Sequence, residues 1–179
     1  MSALVGLRGE RVRLLPPDRS LHLENALRWL NDPEITECLK FDLGVTRKQE
    51  EAFFDRIESG NGNEFTWAIV DGLSGRHVGF IALQGISWRH RSAVGGIVLG
   101  ERDSWGKGFA TDAIRVRTRF AFDQLGLHRV EGHTMNPAMC RVYEKCGYQH
   151  EGTLRQKFWR GGRWHDADFY AILRSNAAS

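Results

Sequence analysis

The sequence predicts a mixed α/β fold, and three observations carry that reading. Between residues 65 and 99, three short apolar runs follow one another, separated by turn-rich links. A long helical stripe then begins directly after Gly106-Lys107-Gly108. Finally, the tail closes on two more strand-like runs around Arg160-Gly161-Gly162-Arg163. Strands, then strand–helix–strand, then strands again imply a mixed sheet with one parallel crossover.

Each element has its own signal. Arg11 to Leu15 alternates charged and apolar side chains, as a half-buried strand does, and stops at Pro16-Pro17. Asp18 or Ser20 caps a helix whose Leu23, Ala26, Leu27 and Leu30 recur at helical spacing. Thr46 with Gln49 fits a capping box, and Ala52, Phe53 and Ile57 supply the stripe behind it. Phe65 to Val70 and His77 to Leu83 flank Asp71-Gly72-Leu73-Ser74-Gly75 and read as a hairpin; Ser92 to Leu99 is the third strand. The long helix carries Ala110, Ala113, Ile114, Ala121 and Leu125 near one face. Leu127 to Met135 reads as a strand and Pro137 to Lys145 as a short helix capped by Asn136. Tyr148 to Leu154 and Trp164 to Leu173 are the closing strands.

Composition narrows the function classes. The chain has 179 residues, 41% of them hydrophobic, and no internal repeat or linker, so a single domain over residues 1–179 is expected. No apolar run approaches the roughly 18 residues of a membrane span, and no signal core is visible in Met1 to Arg13. A net charge of +3 with scattered Lys and Arg does not argue for nucleic acid. Three cysteines without paired spacing (Cys38, Cys140, Cys146) fit a reducing cytoplasm. His22, His77, His90, His150 and His165 have no metal-ligand spacing, so no metal is expected.

Two segments carry chemistry. Val94 to Leu99, followed by Trp105-Gly106-Lys107-Gly108-Phe109-Ala110-Thr111, sets a glycine loop between a strand and a helix N-terminus. That arrangement is either a plain turn or an anion site built from free N–H groups. It matches neither a Walker loop nor a dinucleotide fingerprint. Asn136 to Tyr148 is a capped helix closed by Gly147, with Met139 and Tyr143 on one face. Tyr143 is either a core residue or a proton donor, since a phenol with pKa about 10 can protonate a leaving thiolate.

Together these segments resemble the GNAT superfamily of N-acetyltransferases, which use acetyl-coenzyme A. Gly108-Phe109-Ala110 matches the latter half of the superfamily's Gln/Arg-x-x-Gly-x-Gly/Ala loop, with Trp105 where Gln or Arg is usual. The form Trp-Gly-Lys-Gly-aromatic-Ala-Thr resembles the ribosomal-protein and spermidine N-acetyltransferase branch. Leu7 to Leu14, Trp29 to Glu34, Glu151 to Leu154 and Gly162 to Asp166 extend the likeness over most of the chain.

The resemblance implies a mostly antiparallel sheet with splayed central strands and helices on both faces. Backbone groups of Ile97, Val98 and Leu99 should pair with pantetheine, and Trp105, Gly106, Lys107, Gly108, Phe109, Ala110 and Thr111 should cradle the phosphates. Asn136 should contact the pantetheine region, and Tyr143 should act as general acid toward the thiolate. An acetyl group would pass directly to a primary amine, either a protein N-terminus or a small molecule such as a polyamine or aminoglycoside. An acyl-coenzyme A sensor is the non-enzymatic alternative. Two departures stand out: Met139 stands where the ribosomal-protein branch commonly has Ser, and Gly95-Gly96 offers no side chain near the position where spermidine-type relatives carry a Glu that can take the ammonium proton. His133, alternating with Glu131, is either a replacement base or a structural residue. Asp32, Glu34, Glu37 and Asp42, near Trp29, form either a cation site or a solvated face. Exposed aromatics such as Trp159 and Trp164 permit a homodimer.

Overall fold

The computed structural model describes residues 6–37, 39, 44–60 and 62–176; Cys38, Lys40 and Asp42 lie outside them. The chain opens with β1 (Leu7–Arg8) and β2 (Val12–Leu15), then α1 (Arg19–Leu30), α2 (Pro33–Thr36) and α3 (Arg47–Ser59). Next come β3 (Phe65–Asp71), β4 (His77–Ser87), β5 (Ser92–Leu99) and α4 (Phe109–Asp123). The last part is β6 (Arg129–Thr134), α5 (Pro137–Lys145), β7 (Gln149–Arg160) and β8 (Arg163–Leu173). Caps fall where the sequence expects them. Asp18 accepts from the Ser20 amide at 2.8 Å, and Thr46 and Gln49 complete their capping box. The sequence reading misses α2, because four residues are too few to display a period. It also stops β4 and β7 early, at bulges where the register shifts.

The strands form one sheet in the order β1-β2-β3-β4-β5-β6-β8-β7, antiparallel except between β5 and β6. Alternation along β4 sends successive side chains to opposite faces. Ile81 and Leu83 join Ala113 and Ile114 of α4 and Tyr143 of α5 in one core. Phe80, adjacent to Ile81 and so on the opposite face, meets Trp29 of α1 and Phe54 of α3 edge-on. Helices therefore cover both faces, α1 and α3 on one and α4 and α5 on the other. Trp29 lies so close to Gly100 that a Cβ there would sit 1.8 Å from its ring.

The parallel pairing is short. It runs from Ser92↔Arg129 to Val94↔Glu131 and ends there. Beyond that point β5 stays paired with β4 as far as Gly79↔Leu99, and β6 with β8 as far as Thr134↔Asp168. The two central strands thus part like a V. Two glycines mark the fork, and each is pressed by a side chain from the α4–α5 face. A Cβ on Gly95 would lie 2.5 Å from the Arg117 guanidinium, and one on Gly132 would lie 2.2 Å from the Tyr143 hydroxyl.

Candidate active site

Parting the strands leaves the far edge of β5 without a neighbour from Gly95 onward. Unpaired strand edges present N–H and C=O groups to whatever extended chain arrives. A cavity of about 330 Å³ opens along this edge. Ile97 and Val98 of β5 line it, as do His133 and Thr134 of β6 and Met139 and Tyr143 of α5. Leu99, expected to continue the edge, is outside the wall; its carbonyl accepts the Trp105 indole N–H at 2.9 Å.

Tyr143 is only 3% exposed. Its ring stacks on Tyr170 at 5.3 Å and leans on Tyr148 at 5.0 Å, which fixes the direction of the phenol. No hydrogen bond reaches its hydroxyl from the described residues, so the O–H is available to the cavity. Burial pushes its pKa up to about 12, with the Arg117 cation acting in the opposite sense. At neutral pH the group is a phenol and a donor.

Arg117 is a residue the sequence reading passes over. It is fully buried, donates to the Gly96 carbonyl at 3.4 Å and the Tyr148 hydroxyl at 3.1 Å, and leaves its Nε unpartnered. No ion pair compensates it among the described residues, which is costly for a buried cation. A signal was available: position 117 is four residues from both Ala113 and Ala121, on the stripe that faces the core.

The glycine loop before α4 has the backbone that its glycines allow. Gly106 and Gly108 adopt φ of 73° and 86°, the left-handed region natural to glycine. Gly108 is the N-cap of α4 and supplies no side chain, so the first-turn N–H groups are left for a ligand. Beside Gly108 and Thr111 lies a depression lined by Arg11, Arg115 and Lys145, with Glu10 and Asp112 also in its wall. Asp112, in the same wall, already accepts from the amides of Glu10, Arg11 and Val12 at 3.2, 2.7 and 2.9 Å. Sequence inspection offers Lys107 for the charge; folding also gathers three cations here, Arg11 from the β1–β2 turn, Arg115 from α4 and Lys145 from α5. Lys107 itself is exposed, and Trp105 is 41% exposed.

Other candidates divide. His133 lines the cavity and stacks on Phe158 at 5.7 Å, whereas Glu131 is held by Arg129 at 2.8 Å. Asn136 is outside the cavity wall, and its Oδ1 is committed to the Ala138 amide at 2.9 Å as the cap of α5. Asp32 and Glu34 are neutralised by Arg102 at 2.6 and 2.5 Å, and Asp32 also caps α2, so they behave as a solvated, paired face. Burial pushes the Cys146 thiol up to about 11, away from nucleophile chemistry. No metal-binding cluster occurs among the described residues.

Comparisons with known proteins agree with this geometry. The family model described as an acetyltransferase (GNAT) domain matches residues 11–149. Spermidine N(1)-acetyltransferase of Vibrio cholerae is 33% identical over 109 residues, which are 60% of this chain and 62% of that protein. The chain thus spans less than two thirds of that relative's length. The probable N-acetyltransferase YjcK of Bacillus subtilis is 33% identical over 130 residues, covering 71% of this chain and 70% of that one. The crystal structure of the Vibrio cholerae spermidine N-acetyltransferase in complex with CoA and spermine superposes with a TM-score of 0.86 at 25% identity, covering 94% of this chain and 99% of that one. A forked sheet, a bare-capped helix beside three cations and a matching family model lead to one conclusion: this chain belongs to the GNAT acetyltransferase family, whose members move an acetyl group from acetyl-coenzyme A to an amine.

Proposed function

We propose that this chain, acting as one domain, transfers an acetyl group from acetyl-coenzyme A directly to the primary amine of a small molecule. The observation that carries the reading is the unpaired edge of β5 sharing one cavity with the unpartnered Tyr143 hydroxyl. Pantetheine would run along Ile97 and Val98 as an added strand, and the diphosphate would sit on the first turn of α4 with Arg11, Arg115 and Lys145 around it. A β5 amide N–H would stabilise the oxyanion that forms as nitrogen attacks the thioester carbon. The C–N bond forms, the C–S bond breaks, and the departing sulfur receives the Tyr143 proton; the nitrogen releases its own proton. His133 is the titratable group on the β6 wall for that release.

A polyamine acceptor is the second reading, favoured by the likeness to the spermidine enzyme. The cytoplasmic setting belongs to the proposal as well, supported by the free thiols of Cys140 and Cys146.

The test is release of free thiol from acetyl-coenzyme A in the presence of an amine panel. Transfer to at least one amine is expected; binding of the thioester with no release from any amine would leave only a sensor. Tyr143→Phe should lower kcat about a hundredfold, within the usual range for a general acid, with coenzyme A affinity unchanged. Full activity in that variant would remove Tyr143 from the acid role.

A further inference from the structure

The cavity contains a polar group that neither the open edge nor the acid uses. Glu50, in the first turn of α3, is 5% exposed and turned into the cavity. No hydrogen bond or ion pair reaches its carboxylate from the described residues. Ala26, Trp29, Phe53 and Phe80 of the same face line the cavity with it, alongside the neutral polar Thr66 and Gln84. Burial, with nothing to oppose it, raises its pKa above the ordinary carboxylate range. A helix N-terminus favours a carboxylate, yet a first-turn Glu pointing to solvent gains the same benefit without the desolvation. An ionised carboxylate in apolar surroundings is stable only when a cation joins it.

The floor in front of Glu50 is low. Thr66, Ala82 and Gly96 pair in register across β3, β4 and β5, and all three line the cavity. A Cβ on Gly96 would meet nothing closer than the Gln84 Oε1 at 3.9 Å. This row crosses about 10 Å of sheet, enough for a short hydrocarbon stem. Glu50 enters from the α1–α3 face and Tyr143 from the opposite one, so an acceptor and a thioester can meet between them. Resting on the acetyltransferase reading, we infer that Glu50 is the counter-ion of the acceptor's ammonium, and that the acceptor carries its cationic nitrogen on an apolar body.

Hexylamine and its uncharged counterpart 1-hexanol are the probes. In the wild type, hexylamine should bind the coenzyme A-loaded protein roughly ten- to hundredfold more tightly than 1-hexanol, the usual worth of a charged hydrogen bond. Glu50→Gln should erase that preference and raise the KM for hexylamine by the same factor. Its acetyl-coenzyme A affinity should stay the same, with no loss of melting temperature, since an unpaired buried charge has been removed. Glu50→Asp should fall between. Equal wild-type affinity for the alcohol and the amine, or equal hexylamine binding by wild type and Glu50→Gln, overturns the assignment. If hexylamine binds through Glu50 but no amine releases thiol, the subsite stands and the transfer reading falls. If transfer proceeds at equal kcat/KM in Glu50→Gln, the reverse holds.

Discussion

Gly132 shows how one missing side chain sets the position of the Tyr143 hydroxyl, the proposed acid. Its Cα faces the Tyr143 hydroxyl so closely that a methyl group would lie 2.2 Å from the oxygen. Gly132→Ala must therefore displace either the phenol or β6, a strain of about 1–3 kcal/mol in a packed interior. Misplacing a catalytic group by about 1 Å can cost a hundredfold in rate, so kcat should fall to about the level of Tyr143→Phe while coenzyme A still binds. In the Tyr143→Phe background the obstructing oxygen is gone, and adding Gly132→Ala should cost far less. Additive losses in that double-mutant cycle would show that the two positions do not act through this contact.

The docking of α1 on β4 depends on two neutral imidazoles. His77 Nε2 donates to the Gly79 carbonyl at 2.9 Å, which leaves Nδ1 to accept from Asn25 Nδ2 at 3.2 Å. His22 Nδ1 accepts from the Asp18 amide at 2.7 Å. The two rings lie 4.3 Å apart, against Trp29 and Phe80. Burial, reinforced by the neighbouring His22, lowers the His77 pKa from 6.5 to about 3, and burial also lowers that of His22. The unfolded chain binds these protons first as the pH falls, so the stabilisation present above pH 6.5 is lost between about 6.5 and 3. At about 1.4 kcal/mol per unit, His77 alone removes several kcal/mol over that window. Urea midpoints should decline steadily from pH 6.5 to 4, and a flat profile there would exclude a neutral pair. His77→Gln, which keeps an amide able to bond Gly79, should flatten the slope.

The whole molecule is one sheet opened in the middle, with two helical layers keeping the opening in place. Filling the fork with a strand-like ligand should stabilise everything attached to it. Coenzyme A at a hundred times its Kd contributes about 2.7 kcal/mol by mass action, which for a chain of this size is a melting shift of about 5–10 °C. Gly108→Asp should abolish the shift while the protein stays folded. Asp is a good N-cap and visits the left-handed region at modest cost, but its carboxylate would face the diphosphate. The new side chain would also begin 3.4 Å from Arg11 Nε and engage that cation itself. An undiminished shift in Gly108→Asp would move the diphosphate away from α4.

Element identities, caps and the glycine loop were readable along the chain, because each depends on residues within one turn or one hairpin. Asp18, Thr46 with Gln49, and Asn136 with Pro137 cap their helices as read, and the crossover from β5 to β6 follows from strand–helix–strand order. The family resemblance added Tyr143, Ile97 and Val98, which line the cavity, and Leu99, which does not. What the sequence could not determine is convergence. Arg11, Arg115 and Lys145 meet beside Gly108, Arg117 lies under Gly95, and Glu50 faces the cavity from the other side of the sheet. Those placements depend on strand register and on which face each helix buries. Burial then gives an ordinary Glu or Arg an environment that its neighbours in sequence do not specify.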